Sequence, residues 1–378
     1  MRVLIQQPRL PHYRVPLMNR LVEAHGWELT VAFTPRSGQG ESGLEVRKSD
    51  LFECVALPLR QFRAGSLKLN VQRGLLRLLR AGRWDAFFWE GVHANLSGYL
   101  AARWCRRRQI PNICWLKGYF EPATLPRHLM NQWLWRVPDA FVPYGDETHS
   151  FLLRYGVRPE QIVRAYNTVD VEGIAARREQ LRARGLSLLE SIGWRQARPL
   201  LACVGRLTPQ KRPQDAIQAV YHLRQHGERV FLLMVGDGSE RSTLEQLVQT
   251  LGISDSVYIT GRVPEDDDSA VLAAADLALF PGAHGLAINQ AMALGTPVVV
   301  ADLPGPDGEM VIQERTGWRY PVGDIQALAH AVTTVLHSPK RPVVITQAHE
   351  EMLQRRSLAQ YAKAFTEAVA LARKRRGR

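Results

Sequence analysis

Gly282–Val299 reads GAHGLAINQAMALGTPVV. Pro281 and Gly282 end an apolar run, Gly285 follows, a helix-compatible stretch begins near Leu286, Gly295 stops it, and valines open a strand. The order loop, helix, strand is that of a parallel α/β sheet. Gly285 permits close backbone approach, and a helix starting at Leu286 aims free N–H groups at the same spot, an arrangement suited to phosphate. Gln290, one turn further on, is placed to meet a sugar hydroxyl.

Working outward, the second half repeats the unit. PLLACVGRL, VFLLMVGDG, VYITG, DLALFPG and TPVVVAD read as strands, alternating with helices such as RPQDAIQAVYHLRQHG and SERSTLEQLVQTLG. Ser239 or Ser242 is a candidate cap for the latter, with Glu245 three residues beyond Ser242. The first half runs the same way: RVLIQQ, WELTVAF, DAFFWEG, PNICWLKG and DAFVPYG as strands, with LKLNVQRGLLRLLRAGRW and NLSGYLAARWCRRRQ as helices. Near-continuous apolar strands between amphipathic helices mean buried parallel sheets, and two such sets mean two doubly wound domains. Residues 171–198 hold many arginines and no strand pattern, so they read as a helical connector.

At 378 residues and 46% hydrophobic composition, the chain exceeds one ordinary core. No apolar run reaches the ~18 residues of a membrane span, and the N-terminus reads as a first strand rather than a signal peptide. Cys54, Cys105, Cys114 and Cys203 show no metal spacing, which points to buried thiols in a reducing, cytoplasmic compartment. Charge is uneven. The first 170 residues carry 24 Lys and Arg against 14 Asp and Glu, and the tail RKRRGR adds five more cations. This asymmetry favours a polyanionic surface. Arg73, Arg77, Arg80 and Arg83, then Arg103, Arg106, Arg107 and Arg108, with Trp84 and Trp104 near them, suit an anionic bilayer. No helix-turn-helix, zinc or RNP-like pattern argues for nucleic acid.

Ligands of open parallel sheets sit beyond the strands' carboxyl ends, so loops that follow strands are the candidates. VGRLTPQKR places Arg206 directly after a strand and Lys211 at the mouth of the next helix, two cations suited to a diphosphate. VGDGSE is a second such turn, and RLPHYR (Arg9–Arg14) follows the first strand of the first domain.

GRLTPQK, GDGSERSTLEQL, ITGRVP, ADLALFP, GLAINQAMALGTPVVVAD, GEMV and TGWRYPVGD follow one another in an order and spacing that resemble the retaining glycosyltransferases of family 4. The likeness spans nearly the whole chain. It implies the GT-B fold: two Rossmann-like domains, an acceptor domain over 1–190 and a nucleotide-sugar domain over 196–355, facing an interdomain cleft, with a final helix from about 356 to 378 returning to the first. It implies that Arg206 and Lys211 hold the donor diphosphate beside Gly205, Gly285 and Leu286. Gly261, Arg262 and Val263 would lie near the base. Arg9, His12, Tyr13 and Arg14 would meet an acceptor.

The chain departs from the family pattern at three places. The Glu-x7-Glu pair is replaced by Gly282 and Gln290, and Lys117 precedes Gly118 where many relatives have a histidine. Gln290 keeps an acceptor oxygen for the ribose, His284 is placed to serve a sugar hydroxyl, and Lys117 to replace the histidine as donor. The resemblance implies that retention needs no protein nucleophile, since the leaving phosphate takes the acceptor's proton. The expectation is a cytoplasmic, peripheral, metal-independent transferase without cofactor, moving a sugar from a nucleoside diphosphate to a polysaccharide, lipopolysaccharide or lipid-linked acceptor. The alternative is a silent GT-B protein that binds nucleotide sugar or glycan as a partner subunit.

Overall fold

A computed structural model describes residues 1–35, 49–64, 67–92, 94–118, 132–264, 266–283, 285–305 and 308–377. The chain forms two units, Met1–Asp170 with Leu358–Arg378, and Val171–Ser357.

The first unit contains strands β1 (Arg2–Gln6), β2 (Glu28–Phe33), β3 (Glu53–Ala56), β4 (Leu59–Ala64), β5 (Leu67–Gln72), β6 (Ala86–Glu90), β7 (Asn112–Leu116) and β8 (Ala140–Pro143). Its helices are α1 (Val15–His25), α2 (Leu75–Ala81), α3 (Leu96–Arg107) and α4 (Asp146–Arg154), and the chain's last helix, Leu358–Arg376, joins them. Six strands make one parallel sheet in the order β3-β2-β1-β6-β7-β8. Val3, Ile5 and Phe88 face one side with Phe365, while Leu4, Phe87 and Trp89 face the other, so both faces are buried as the apolar strands require. Helix α1 stops at Gly26, whose φ of 62° lets its N–H return to the carbonyls of Leu21 and Val22.

LKLNVQRGLLRLLRAGRW was expected to be helical throughout, but only Leu75–Ala81 is. Leu67–Gln72 pairs antiparallel with β4, from Leu59↔Gln72 to Ala64↔Leu67. Leu67, Leu69 and Val71 alternate with Lys68, Asn70 and Gln72, a two-residue period that fits a ribbon.

The second unit contains α5 (Val171–Ala176), α6 (Arg178–Ser191), β9 (Leu200–Val204), α7 (Pro213–Gln225), β10 (Phe231–Val235), α8 (Arg241–Thr250), β11 (Val257–Gly261), α9 (Asp267–Ala274), β12 (Leu277–Phe280), α10 (Ala287–Ala293), β13 (Val298–Asp302), β14 (Trp318–Pro321), α11 (Ile325–His337) and α12 (Arg341–Arg355). The last helix of the chain is α13 (Leu358–Arg376). The sheet order β11-β10-β9-β12-β13-β14 repeats that of the first unit. Helix α8 starts without a side-chain cap, so neither Ser239 nor Ser242 acts as one; Glu245 instead accepts from Arg241 at 2.8 Å.

Residues 171–190, assigned above to the first domain, pack on the second unit. Gly185 makes this possible: a Cβ there would stand 2.1 Å from the Ala270 carbonyl oxygen, so α6 and α9 touch backbone to backbone. Arg177 and Asp266 pair at 2.6 Å, and Arg184 pairs with Asp267. Helix α13 packs in the first unit, where Trp115 Nε1 donates to Tyr361 Oη at 2.7 Å and Phe365 stacks on Phe88. Part of the basic tail is consumed there, because Arg375 Nη1 donates to the Asp139 carbonyl at 2.9 Å and Arg376 Nε to the Asp139 carboxylate at 2.7 Å.

Candidate functional site

In each sheet two neighbouring strands send the chain to opposite edges, and beyond their carboxyl ends a crevice opens. In the second unit these strands are β9 and β12. The segments that leave them are Gly205–Arg212 and Pro281–Gly285, both singled out from sequence.

The two loops are built into one another. Ala283 N donates to Gln210 O at 2.7 Å, and Lys211 Nζ donates to Ala283 O. A Cβ on Gly285 would stand 3.1 Å from Lys211 Nζ. Upstream, Thr208 N donates to Arg206 O at 3.0 Å and Lys211 N to Thr208 O at 2.9 Å, so successive turns carry the chain from one cation to the other. Arg206 is exposed. Arg212 is held instead by Asp215, at 2.6 and 3.2 Å, which anchors the start of α7.

Glycines bring neighbouring loops equally close. A Cβ on Gly236 would lie 1.8 Å from Gly205 O, and one on Gly238 2.1 Å from Leu207 O. Gly205 N donates to Val235 O at 2.9 Å, and Gly236 N to Gly261 O at 3.0 Å, stitching together the ends of β9, β10 and β11. Gly261 has φ 75° and lies under the Arg241 guanidinium; Arg262 is exposed and Val263 half-buried.

The surroundings of Gly282 and Gln290 limit which side chains these positions can carry. A Cβ on Gly282 would stand 2.3 Å from the Lys211 carbonyl carbon, so this loop can carry no side chain at that position without moving. Gln290 Nε2 donates to Ser269 Oγ at 3.1 Å and lies 3.5 Å from Asp268 Oδ2. A carboxylate accepts only, so the amide turns its nitrogen toward Asp268, and a glutamate at 290 would face a like charge. Leu286 precedes α10 without a side-chain cap. His284 lies outside the described residues.

In the first unit Lys117 is exposed just after β7, with its carbonyl accepting from Thr148 Oγ1. Arg9 is exposed, and His12 and Tyr13 are half-buried with their rings edge to face at 5.7 Å. Arg14 differs from its expected place on a ligand-facing turn. It is 3% exposed, its guanidinium lies 4.6 Å from the Trp115 ring and 5.3 Å from the Tyr144 ring, and Nη2 donates to Tyr144 Oη at 3.1 Å. Aromatic rings thus hold it as a packed cation.

Sequence reasoning passed over the buried polar residues at the first unit's own crevice, beyond β1 and β6. Asn95 Nδ2 donates to Gln6 Oε1 and to Glu90 O, both at 2.8 Å, while Gln6 Nε2 donates to Gln72 Oε1. A single Glu ending the apolar strand DAFFWEG was the available signal.

The Glycosyltransferase Family 4 model matches residues 17–172, and the model for glycosyl transferases group 1 matches 187–352. Each of the two units thus matches a glycosyltransferase domain model. The 2-deoxystreptamine glucosyltransferase of Streptomyces kanamyceticus is 32% identical over 158 residues, 41% of each chain. The putative colanic acid biosynthesis glycosyltransferase WcaL of Escherichia coli K12 is 28% identical over 58% of this chain and 54% of its own. The matches thus span about two fifths to one half of these relatives. The Anabaena protein HepE, solved with UDP and glucose, superposes with a TM-score of 0.74 over 98% of this chain and 99% of its own, at 19% identity. The likeness shows the GT-B fold.

Proposed function

We propose that the chain is a retaining, metal-independent glycosyltransferase that moves a sugar from a nucleoside diphosphate to a polysaccharide, lipopolysaccharide or lipid-linked acceptor. The reading is carried by one observation: Lys211 Nζ rests on the loop that follows β12, in the same chain segment as the exposed Arg206. These two cations bind the diphosphate and stabilise the charge that develops on it as the bond to sugar C1 breaks. The acceptor oxygen attacks C1 from the same face, and its proton passes to the departing phosphate oxygen. Gly282 places no carboxylate beside the donor sugar, so positioning and charge stabilisation account for the rate. Gln290 offers its amide oxygen to the ribose, Gly261, Arg262 and Val263 flank the base, and Lys117 and His284 serve hydroxyls. HepE was solved with UDP and with UDP-glucose, and WcaL is named for a surface polysaccharide; both support the donor and acceptor classes.

The chain works, in this reading, as a peripheral protein on the cytoplasmic face of a membrane. Arg103, Arg106, Arg107 and Arg136 line an open cavity of about 390 Å³ with Tyr99 and Trp133, and Trp133 is 52% exposed. Cations interleaved with aromatic rings suit anionic headgroups. No helix among the described residues is long and apolar enough to cross a membrane.

Purified protein with UDP- and GDP-sugars tests the reaction. Donor hydrolysis or transfer that disappears in Arg206→Ala and Lys211→Ala supports it. Nucleotide binding without turnover against any acceptor extract would instead favour a silent binding subunit. For the membrane, flotation with phosphatidylglycerol vesicles should be salt-sensitive and should weaken in Arg103→Ala/Arg106→Ala; salt-independent or absent binding overturns that part.

A further inference from the structure

We infer that Glu90 recognises the acceptor in the first unit, exchanging a hydrogen bond with a hydroxyl of a polyhydroxylated ligand seated beyond the ends of β1 and β6. The inference rests on the transferase reading and names the group on the acceptor side.

Topology supplies the first argument. β1 and β6 are neighbours from which the chain departs toward opposite edges, as it does from β9 and β12 in the second unit. A crevice at the carboxyl ends is the consequence in both sheets. Glu90 is the last residue of β6, and Gln6, the last of β1, stands beside it.

The hydrogen-bond accounting supplies the second. Glu90 N donates to Gln6 Oε1 at 3.3 Å, and Glu90 O accepts from Asn95 Nδ2. Asn95 Oδ1 accepts from Gly98 N at 3.0 Å, and Gln72 Nε2 donates to Gln7 O at 3.1 Å. This network pins the Glu90 backbone while satisfying its own members. The carboxyl group of Glu90 takes no hydrogen bond and no ion pair from any described residue. Arg14 and Arg9 act on it through their charge; Arg14 is held by aromatic rings and Tyr144, and Arg9 stands exposed beside the crevice. Cys114 on β7 and Tyr144 after β8 are the other titratable groups that feel Glu90.

A rigidly mounted, half-buried carboxyl group without a partner among the described residues is arranged for an external one. Burial pushes its pKa up to about 7, against the opposing pull of Arg14 and Arg9. Near neutral pH both forms are present, so the group can accept from a hydroxyl or donate to one. Hydroxyl recognition of this kind discriminates strongly against ligands that lack the hydroxyl, because the buried group is then left unpaired.

The test uses the full chain saturated with UDP and three probes: the methyl α-glycosides of glucose, galactose and mannose. Saturation-transfer NMR should detect at least one of them on the wild-type protein. Glu90→Ala should weaken it about tenfold or more, and Glu90→Gln by a smaller factor, since an amide still bonds a hydroxyl. UDP affinity, measured by calorimetry, should be unchanged in both variants and lost in Lys211→Ala. Absence of all three probes from the wild-type protein, or equal binding to Glu90→Ala, overturns the inference. Retained UDP binding in that case leaves the donor reading standing, whereas absence of UDP binding in the wild type removes the donor reading itself.

Discussion

The two crevices are built on one topology and furnished oppositely. Beyond β9 and β12 the loops are glycine-tight, backbone against backbone, and their side-chain chemistry is cationic: Arg206 and Lys211. Beyond β1 and β6 the loops are held by side-chain amides, Gln6, Gln72 and Asn95, around one acid, Glu90. Close backbone and fixed cations suit a diphosphate, whereas side-chain amides around a titratable acid suit hydroxyls. On the proposed reading one scaffold serves two ligand chemistries, and the difference lies in a handful of residues after four strands.

Removing the cations should break the comparison most sharply. Lys211→Ala or Arg206→Ala is expected to lower turnover of the accepted donor by about 10²–10³-fold, as for loss of one preorganised donor to a developing charge. Steady-state kinetics checks this, and turnover within about threefold of wild type would place the diphosphate elsewhere.

The acid of the other crevice should reveal itself in stability. Burial holds Glu90 near 7 in the folded protein, against an ordinary glutamate value in the unfolded chain. Folding therefore takes up a proton between those values, and stability falls as pH rises through that window. Above about pH 7 the ionised carboxylate costs about 3 kcal/mol. Glu90→Gln should raise the melting temperature of the first unit by roughly 6–12 °C at pH 8. The gain should shrink as pH falls and vanish below about pH 4.5. Calorimetric scans that show equal melting at pH 8 would mean the carboxylate is solvated like a surface group.

Changing side chains in the second unit's crevice should sharpen the picture more gently. Gly282→Ala adds a Cβ against the Lys211 carbonyl carbon and should cost about 1–3 kcal/mol of stability or of UDP affinity. Gln290→Glu places a second carboxylate near Asp268 and should cost about 1 kcal/mol at neutral pH, relieved on acidification. Urea unfolding at two pH values reads the latter. If either variant enhances donor turnover, the loop geometry is more adaptable than its contacts imply.

Much of this was legible in the chain itself. Apolar runs alternating with amphipathic segments announce parallel strands, since both faces of such a sheet are buried. Gly285 could be marked as a close-approach position because a residue without Cβ lets other groups come near its backbone. Other features were not legible. Arg14 and the exposed Arg9 share one short motif, yet only neighbours from β7, β8 and α13 bury Arg14. Residues 171–190 carry no mark of the unit they join until Gly185 meets Ala270.

Local pattern therefore determined the elements, their alternation and the glycine positions, because periodicity and Cβ sterics act over a few residues. Only tertiary structure decided that β1 neighbours β6 and β9 neighbours β12, and hence which loops share a crevice. It alone decided that the half-buried Glu90 carboxyl group has no partner among the described residues and that Gly282 has no room for a side chain. Burial, pairing and charge environment are set by residues distant in sequence, so no single stretch encodes them.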